Sequence, residues 1–178
     1  MNESNLIADA KREIDVGEVT RAHQILQPLV DKGNAQAIYI AATISKSGES
    51  AEEFEKRHVE FVTLAASKNY PDAIYQLGYF FDVGESGFEV DKKRAAELFK
   101  KAADLGHPRS QWIHACELLW GAGSYEQNVS EGLEYLNQAV KGNFDEALET
   151  LARFHESGEF GFERSAQLAA DLRNRKAP

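Results

Sequence analysis

The chain has 178 residues, 43% hydrophobic and 28% charged, with 20 Lys+Arg against 29 Asp+Glu and a formal net charge of −9. That apolar content is too high for intrinsic disorder, and the length fits one domain able to bury a sizeable core. The acidic balance excludes a nucleic-acid backbone as the main partner, the lone Cys116 excludes an internal disulfide framework, and no run nears the ~20 apolar residues of a membrane span.

The N-terminal stretch Met1-Asn2-Glu3-Ser4-Asn5 lacks the positive region and apolar core of a secretory signal, so the expected location is cytoplasmic and reducing. Next come two segments, Asn5 to Asp15 and Gly17 to Lys32, that read as a degenerate helix pair ending at Gly33. Pro28 falls inside the second of them and is expected to kink or shorten it.

From there the chain repeats itself. Aligning the segment that begins at Pro71 with the one that begins at Asp145 puts small residues, large apolar residues and glycine at the same places of a fourteen-place frame. The third place is Ala37, Ala73, Ser110 and Ala147, at steps of 36, 37 and 37. The eighth is Ala42, Gly78, Ala115 and Ala152, and the fourteenth is Gly48, Gly84, Gly121 and Gly158. Places 3, 7, 8 and 11 share one helical stripe, the small eighth residue admits a close neighbour, and the glycine suits a left-handed helix terminator. A second amphipathic helix follows in each unit, as in Ala95, Leu98, Phe99, Ala102 and Ala103 before Gly106, or Tyr135, Leu136, Ala139 and Val140 before Gly142. Ser50 with Glu53, and Asn128 with Glu131, fit capping boxes at the starts of two such helices.

The fold expected is therefore all-α: a right-handed α-solenoid of stacked antiparallel helix pairs, about ten helices in one domain over 1–178. Residues 1–33 form an N-terminal capping pair, followed by repeat units 34–70, 71–107, 108–143 and 144–178.

The best-formed unit contains Ala73, Leu77, Gly78, Phe81, Gly84, Gly87, Asp91, Arg94, Ala95, Phe99, Ala102, Ala103, Gly106 and His107. This pattern resembles the Sel1-like repeat family, a longer-looped relative of the tetratricopeptide repeat, over roughly residues 34–178. Ser45 and His155 replace the family's aromatic at place 11, and His114 replaces its leucine at place 7. The resemblance implies a scaffold that binds proteins, in roles that include bacterial signalling, envelope assembly and toxin neutralisation. The family's cysteine-rich β-lactam-binding branch carries a disulfide in each unit, and a single cysteine disfavours it here.

In such solenoids the first helices line the concave side, so their places 2, 5, 9, 12 and 13 should face a groove. The candidate groove residues are Tyr39, Asp72, Tyr75, Tyr79, Asp82, Trp112, Trp120, Glu149, Arg153 and Glu156. Cys116 and Leu119 fall on the same predicted face. Trp and Tyr bury much area at small rotamer cost, which makes them common anchors of interfaces. The flanking carboxylates favour a basic partner. The bland alternative is that Tyr39, Tyr75 and Trp112, all at place 5, pack between adjacent helices.

Catalytic chemistry finds no foothold. His23, His58, His107, His114 and His155 are scattered without metal-ligand spacing, and Cys116 has no candidate base. The loop Gly84-Glu85-Ser86-Gly87 has acidic neighbours and recurs as Gly158-Glu159-Phe160-Gly161, which marks repeat architecture, not a phosphate cradle. Lys92-Lys93-Arg94 starts a second helix among carboxylates and reads as a solvated face. No catalytic residue, metal site or cofactor is assigned. The reading is a monomeric, non-enzymatic module that binds a protein or peptide in an aromatic, acidic groove, with no nucleic-acid or membrane partner. One alternative is a bacterial immunity protein that neutralises a cognate toxin by direct binding. The third reading, an enzyme, needs a converging polar constellation that the sequence does not show.

Overall fold

The computed structural model describes residues 2–123 and 125–175, so Met1 and residues 176–178 of the expected domain bounds lie outside the described residues. Among those residues the protein is all-α. The helices are α1 (Glu3–Asp15), α2 (Val19–Asp31), α3 (Ala35–Thr43), α4 (Ala51–Ser67), α5 (Pro71–Val83), α6 (Lys92–Asp104), α7 (Pro108–Trp120), α8 (Val129–Lys141), α9 (Asp145–Ser157) and α10 (Ala166–Asn174), with a short 3-10 turn at Glu159–Gly161. They fall into two compact units, the first ending at Val90 with α1–α5 and the second beginning at Asp91 with α6–α10. Within each unit, every helix packs on the helix next in sequence.

Small side chains decide that packing. At place 3, Ala37, Ala73, Ser110 and Ala147 are all 0% exposed. At place 8, Ala42, Ala115 and Ala152 are also fully buried, and Gly78 is buried. A larger side chain at these places would hold the neighbouring helix off and open voids that a close-packed interior does not tolerate. Around them sit the large apolar residues, Leu26 and Leu29 with Ile40 in the first unit, and Leu136, Leu148 and Phe154 in the second. Helices α7 and α8 approach closely at Gly132, where an added Cβ would lie 2.8 Å from Leu119 Cγ.

Three of the four first helices stop on the expected glycine: Gly84, Gly121 and Gly158 are left-handed, with φ of 73°, 62° and 76°. The fourth does not. Helix α3 ends at Thr43, well before Gly48, and Ile44 is already extended. The released carbonyls are taken by side chains from α2 and α4. Arg57 donates to the carbonyls of Ala41 and Ile44, His58 meets Ala42, and His23 meets Ile44 and Ser45 at 3.2 Å each. Arg57 is buried and holds Glu49 through two bonds of 2.6 Å, which bring the Glu49 carboxyl down to about 2. Three side chains thus do the work that a glycine does in the other repeats.

Other expectations are corrected in detail. Helix α2 continues through Pro28 to Asp31, so the proline removes one backbone donor without shortening the helix. The left-handed residue after the fourth second-helix is Asn143, φ 56°, not Gly142, whose φ is −72°. Asn143 continues the series Gly33, Asn69 and Gly106, and asparagine tolerates this region better than other side chains do. The capping box at Ser50 forms in full, but at Asn128 only half of it forms. The Asn128 backbone N–H is already donated to the Leu118 carbonyl, so the Glu131 carboxylate takes the Asn128 side-chain amide instead.

Two outcomes are expected of the α3 terminus. Arg57→Leu leaves buried carbonyls unmet and should lower stability by about 3 kcal/mol, read from urea unfolding; a loss under about 0.5 kcal/mol would show that the carbonyls find other partners. Burial pushes the His23 imidazole below its ordinary value of 6.5, so the folded state holds that proton less tightly than the unfolded chain. The associated stability is full above the ordinary value and is lost as pH falls through it. Between about pH 7.5 and 5.5, the wild type should therefore lose more stability than His23→Gln, and equal losses would remove His23 from the account.

Candidate protein-interaction surface

The outward places of the first helices divide by what the stack demands of them. In the first unit, place 5 of α3 is Tyr39, half-buried, with its ring 5.3 Å from that of Tyr70. Burial, then the neighbouring Asp72 carboxylate, push the Tyr39 phenol up to about 12. Tyr70 is hydrogen-bonded to Asp72 and to Gln36, and Tyr75 is close enough to Tyr39 to influence it. The structure thus gathers Tyr39, Asp72 and Tyr75 around Tyr70 at the start of α5. One turn after Tyr75, on the same face, Tyr79 is 39% exposed, with Val83 exposed beyond it and Asp82 half-buried.

In the second unit, place 5 of α7 is Trp112. Its indole Nε1–H donates to Thr150 Oγ1 on α9 at 3.0 Å, and its ring lies 6.1 Å from Phe144. Arg109 places its guanidinium over the Phe144 ring, 5.5 Å from its centre, and pairs with Glu146 at 3.6 Å. Tyr70 and Phe144 occupy equivalent positions, the residue just before α5 and α9 respectively. There they forgo the side-chain cap that Asn34 and His107 supply to α3 and α7. A lost cap costs about 1 kcal/mol and an aromatic pair returns a similar amount. The place-5 aromatics Tyr39 and Trp112 therefore staple one repeat to the next, as the bland alternative holds, and each presents only part of its ring outward.

Trp120 is different. It is the last residue of α7 and 45% exposed, with one side of its ring against Phe154 (6.0 Å) and Phe160 (5.8 Å). Its open side lines a cleft of about 600 Å³ with Arg153, Glu156, Ser157 and Glu159. Trp120, Arg153 and Glu156 are brought together here, while Glu149 stands beside them on α9. Both of these α9 carboxylates are already held by Arg173 of α10. Arg173 reaches Glu149 at 2.8 Å and Glu156 at 2.6 Å, and so keeps the Glu156 carboxyl below its ordinary range. Their charge is thus partly spent inside the protein.

Leu119 does not face outward as the frame suggests. It is fully buried, because α8 closes on it at Gly132. Cys116 is half-buried, and burial pushes its thiol up to about 11, away from the thiolate range of a nucleophile. His114 is 1% exposed between the rings of Tyr125 and Tyr135. Among the described residues, no group of three or more His, Cys, Asp or Glu side chains is placed to hold a metal ion.

The residues missed in the sequence are Tyr70, Phe144, Thr150, Phe160 and Arg173. The first two carried a usable signal, since Asn34, Tyr70, His107 and Phe144 recur with the repeat. Arg173 and Thr150 are visible only once α10 and α9 are packed. The division of labour has a direct test. Trp112→Ala should cost about 2 kcal/mol of stability and Trp120→Ala under about 1 kcal/mol, both by denaturant melts; equal costs of several kcal/mol would make both tryptophans core.

Comparison with known proteins agrees with this architecture. The model of the Sel1 repeat matches residues 71–107 and 108–144. Over 89 residues, half of the chain, the sequence is 32% identical to chitin synthase regulatory factor 2 of Schizosaccharomyces pombe, although it spans only 17% of that protein. It is 24% identical over 173 residues to cytochrome c oxidase assembly factor 7 of Xenopus tropicalis, covering 92% of this chain and 72% of that one. The fold superimposes on the crystal structure of a Sel1 repeat protein from Oxalobacter formigenes with a TM-score of 0.71 at 17% identity, over 98% of this chain and 71% of that one. Residues 71–107 and 108–144 thus match the Sel1 repeat, and the chain has the all-α fold of stacked helix pairs seen in that Sel1 repeat protein.

Proposed function

We propose that this chain is a non-catalytic protein-interaction module that binds a partner protein or peptide on the outward faces of its first helices. The observation that carries the reading is the exposure of Tyr79 and Trp120. These are large aromatics on α5 and α7 at places the stack leaves unused, and such residues are the common anchors of binding surfaces. The relatives support it from another direction, since one is named as a regulatory factor of chitin synthase and another as an assembly factor of cytochrome c oxidase. Both names describe a protein that acts on another protein. Regulation or assembly of a partner is therefore the closer parallel for this chain, ahead of toxin neutralisation. The module acts as a cytoplasmic monomer in this reading. Among the described residues, no helix is long and apolar enough to cross a membrane.

The test uses a Tyr79→Ala/Trp120→Ala double variant beside the wild type, each as bait in native lysate, followed by titration calorimetry with the recombinant partner. A partner bound by the wild type should be weakened about 100-fold or more by the double variant at unchanged helicity, since two anchor residues are removed. A partner held equally by both proteins would place binding on another face.

A further inference from the structure

Two places that carry aromatic or aliphatic residues in the earlier repeats turn charged together in the α9–α10 pair. At place 5 of the first helix the series runs Tyr39, Tyr75, Trp112 and Glu149. In the second helix, at steps of 37, it runs Val62, Phe99, Leu136 and Arg173. Val62, Phe99 and Leu136 are buried. Two of them share a buried cluster with the first helix that follows, Val62 with Phe80 of α5 and Leu136 with Leu148 of α9. Place 5 serves the same joint, since Tyr39 meets Tyr70, and Trp112 meets Phe144 and Thr150, in the following repeat.

The two charged replacements answer one another. Arg173 Nη2 donates to Glu149 Oε1 at 2.8 Å, and its Nε–H is shared between both Glu149 oxygens at 3.1 Å each. The same guanidinium reaches Glu156, two turns further along α9, with Nη1 at 2.6 Å and Nη2 at 3.0 Å. One planar fork thus spans two carboxylates, a geometry that a point charge such as lysine does not supply. Glu156, then Glu149, hold the Arg173 guanidinium above its ordinary range. The clamp adds to a thin apolar seat, because the nine-residue α10 packs on α9 through the buried Ala169 and Leu172.

We propose that the Glu149–Arg173–Glu156 clamp is a terminating device: it holds α10 on α9 and closes this face to a further repeat or to a second copy of the chain. Covering the face would strip water from three charged groups, which their mutual attraction does not repay in full. Two carboxylates against one guanidinium also leave it net negative, so two copies repel one another there. Apolar residues at the same places would instead offer the joint that the earlier repeats use. The clamp acts whether or not the outward aromatics bind a partner.

The experiment restores the repeat's own residues in the full chain with Glu149→Trp/Arg173→Leu, and adds Glu156→Gln so that no carboxylate is left without its arginine. In sedimentation equilibrium the wild type should keep its monomer mass of 19.8 kDa at every concentration up to about 500 μM, while the mass of the triple variant rises toward twice that value at unchanged helicity. Equal masses for the two proteins at every concentration would overturn the inference, and neither result bears on whether Tyr79 and Trp120 bind a partner. Arg173→Ala gives a second reading should the triple variant fail to fold. Its amides over residues 166–174 should exchange at least about tenfold faster than in the wild type, with those of α7 unchanged. Exchange unchanged in α10, or accelerated equally in α7, would overturn the inference as well.

Discussion

The stack depends on one steric constraint: each first helix carries a small, buried residue at two fixed places. Ala37 and Ala42, Ala73 and Gly78, Ser110 and Ala115, and Ala147 and Ala152 set how near the next helix comes. A helix pair that offers so narrow a stripe cannot bury its apolar face alone, so it must find a neighbour. Helix length, turn chemistry and the residues left for function are consequences. The left-handed series Gly33, Asn69, Gly106 and Asn143 reverses the chain at the same point of each repeat.

The stack also sorts the outward residues. Place 5 lies close enough to the next repeat that its aromatics are drawn into it: Tyr39 onto Tyr70, and Trp112 onto Phe144 and Thr150. At the same place of α9 the residue is Glu149, and there Arg173 of α10 supplies the contact. Place 13 of α7 lies beyond that reach. Trp120 is supported from behind by Phe154 and Phe160 but covered by nothing among the described residues, a condition that serves binding and not stability.

The period of 36 and 37 residues made the fold legible, because small residues and glycines recur only where backbone geometry requires them. What the sequence concealed depends on partners far apart in the chain. The early end of α3 could not be read from Gly48, since the carbonyls it releases are satisfied by Arg57, His58 and His23 from two other helices. Leu119 sits at an outward place by count, yet the closeness of α8 at Gly132 buries it. The acidic character expected of α9 is reduced by an arginine some 20 residues away, whose pairing no local pattern announces. Tyr79 and Trp120 were legible as outward aromatics. That Tyr39 and Trp112 belong to the stack was legible only as one of two readings of place 5, because the aromatic that receives each of them lies in the following repeat.

The central claim is that two tryptophans eight residues apart on one helix face different environments, Trp112 inside the joint between repeats and Trp120 at an open cleft. Acrylamide quenching of two single-tryptophan variants, Trp120→Phe and Trp112→Phe, addresses this without any partner, and a neutral quencher is indifferent to the nearby arginines. The account predicts that the fluorescence of Trp120 is quenched several times more efficiently than that of Trp112. Equal quenching of the two, or stronger quenching of Trp112, would contradict it.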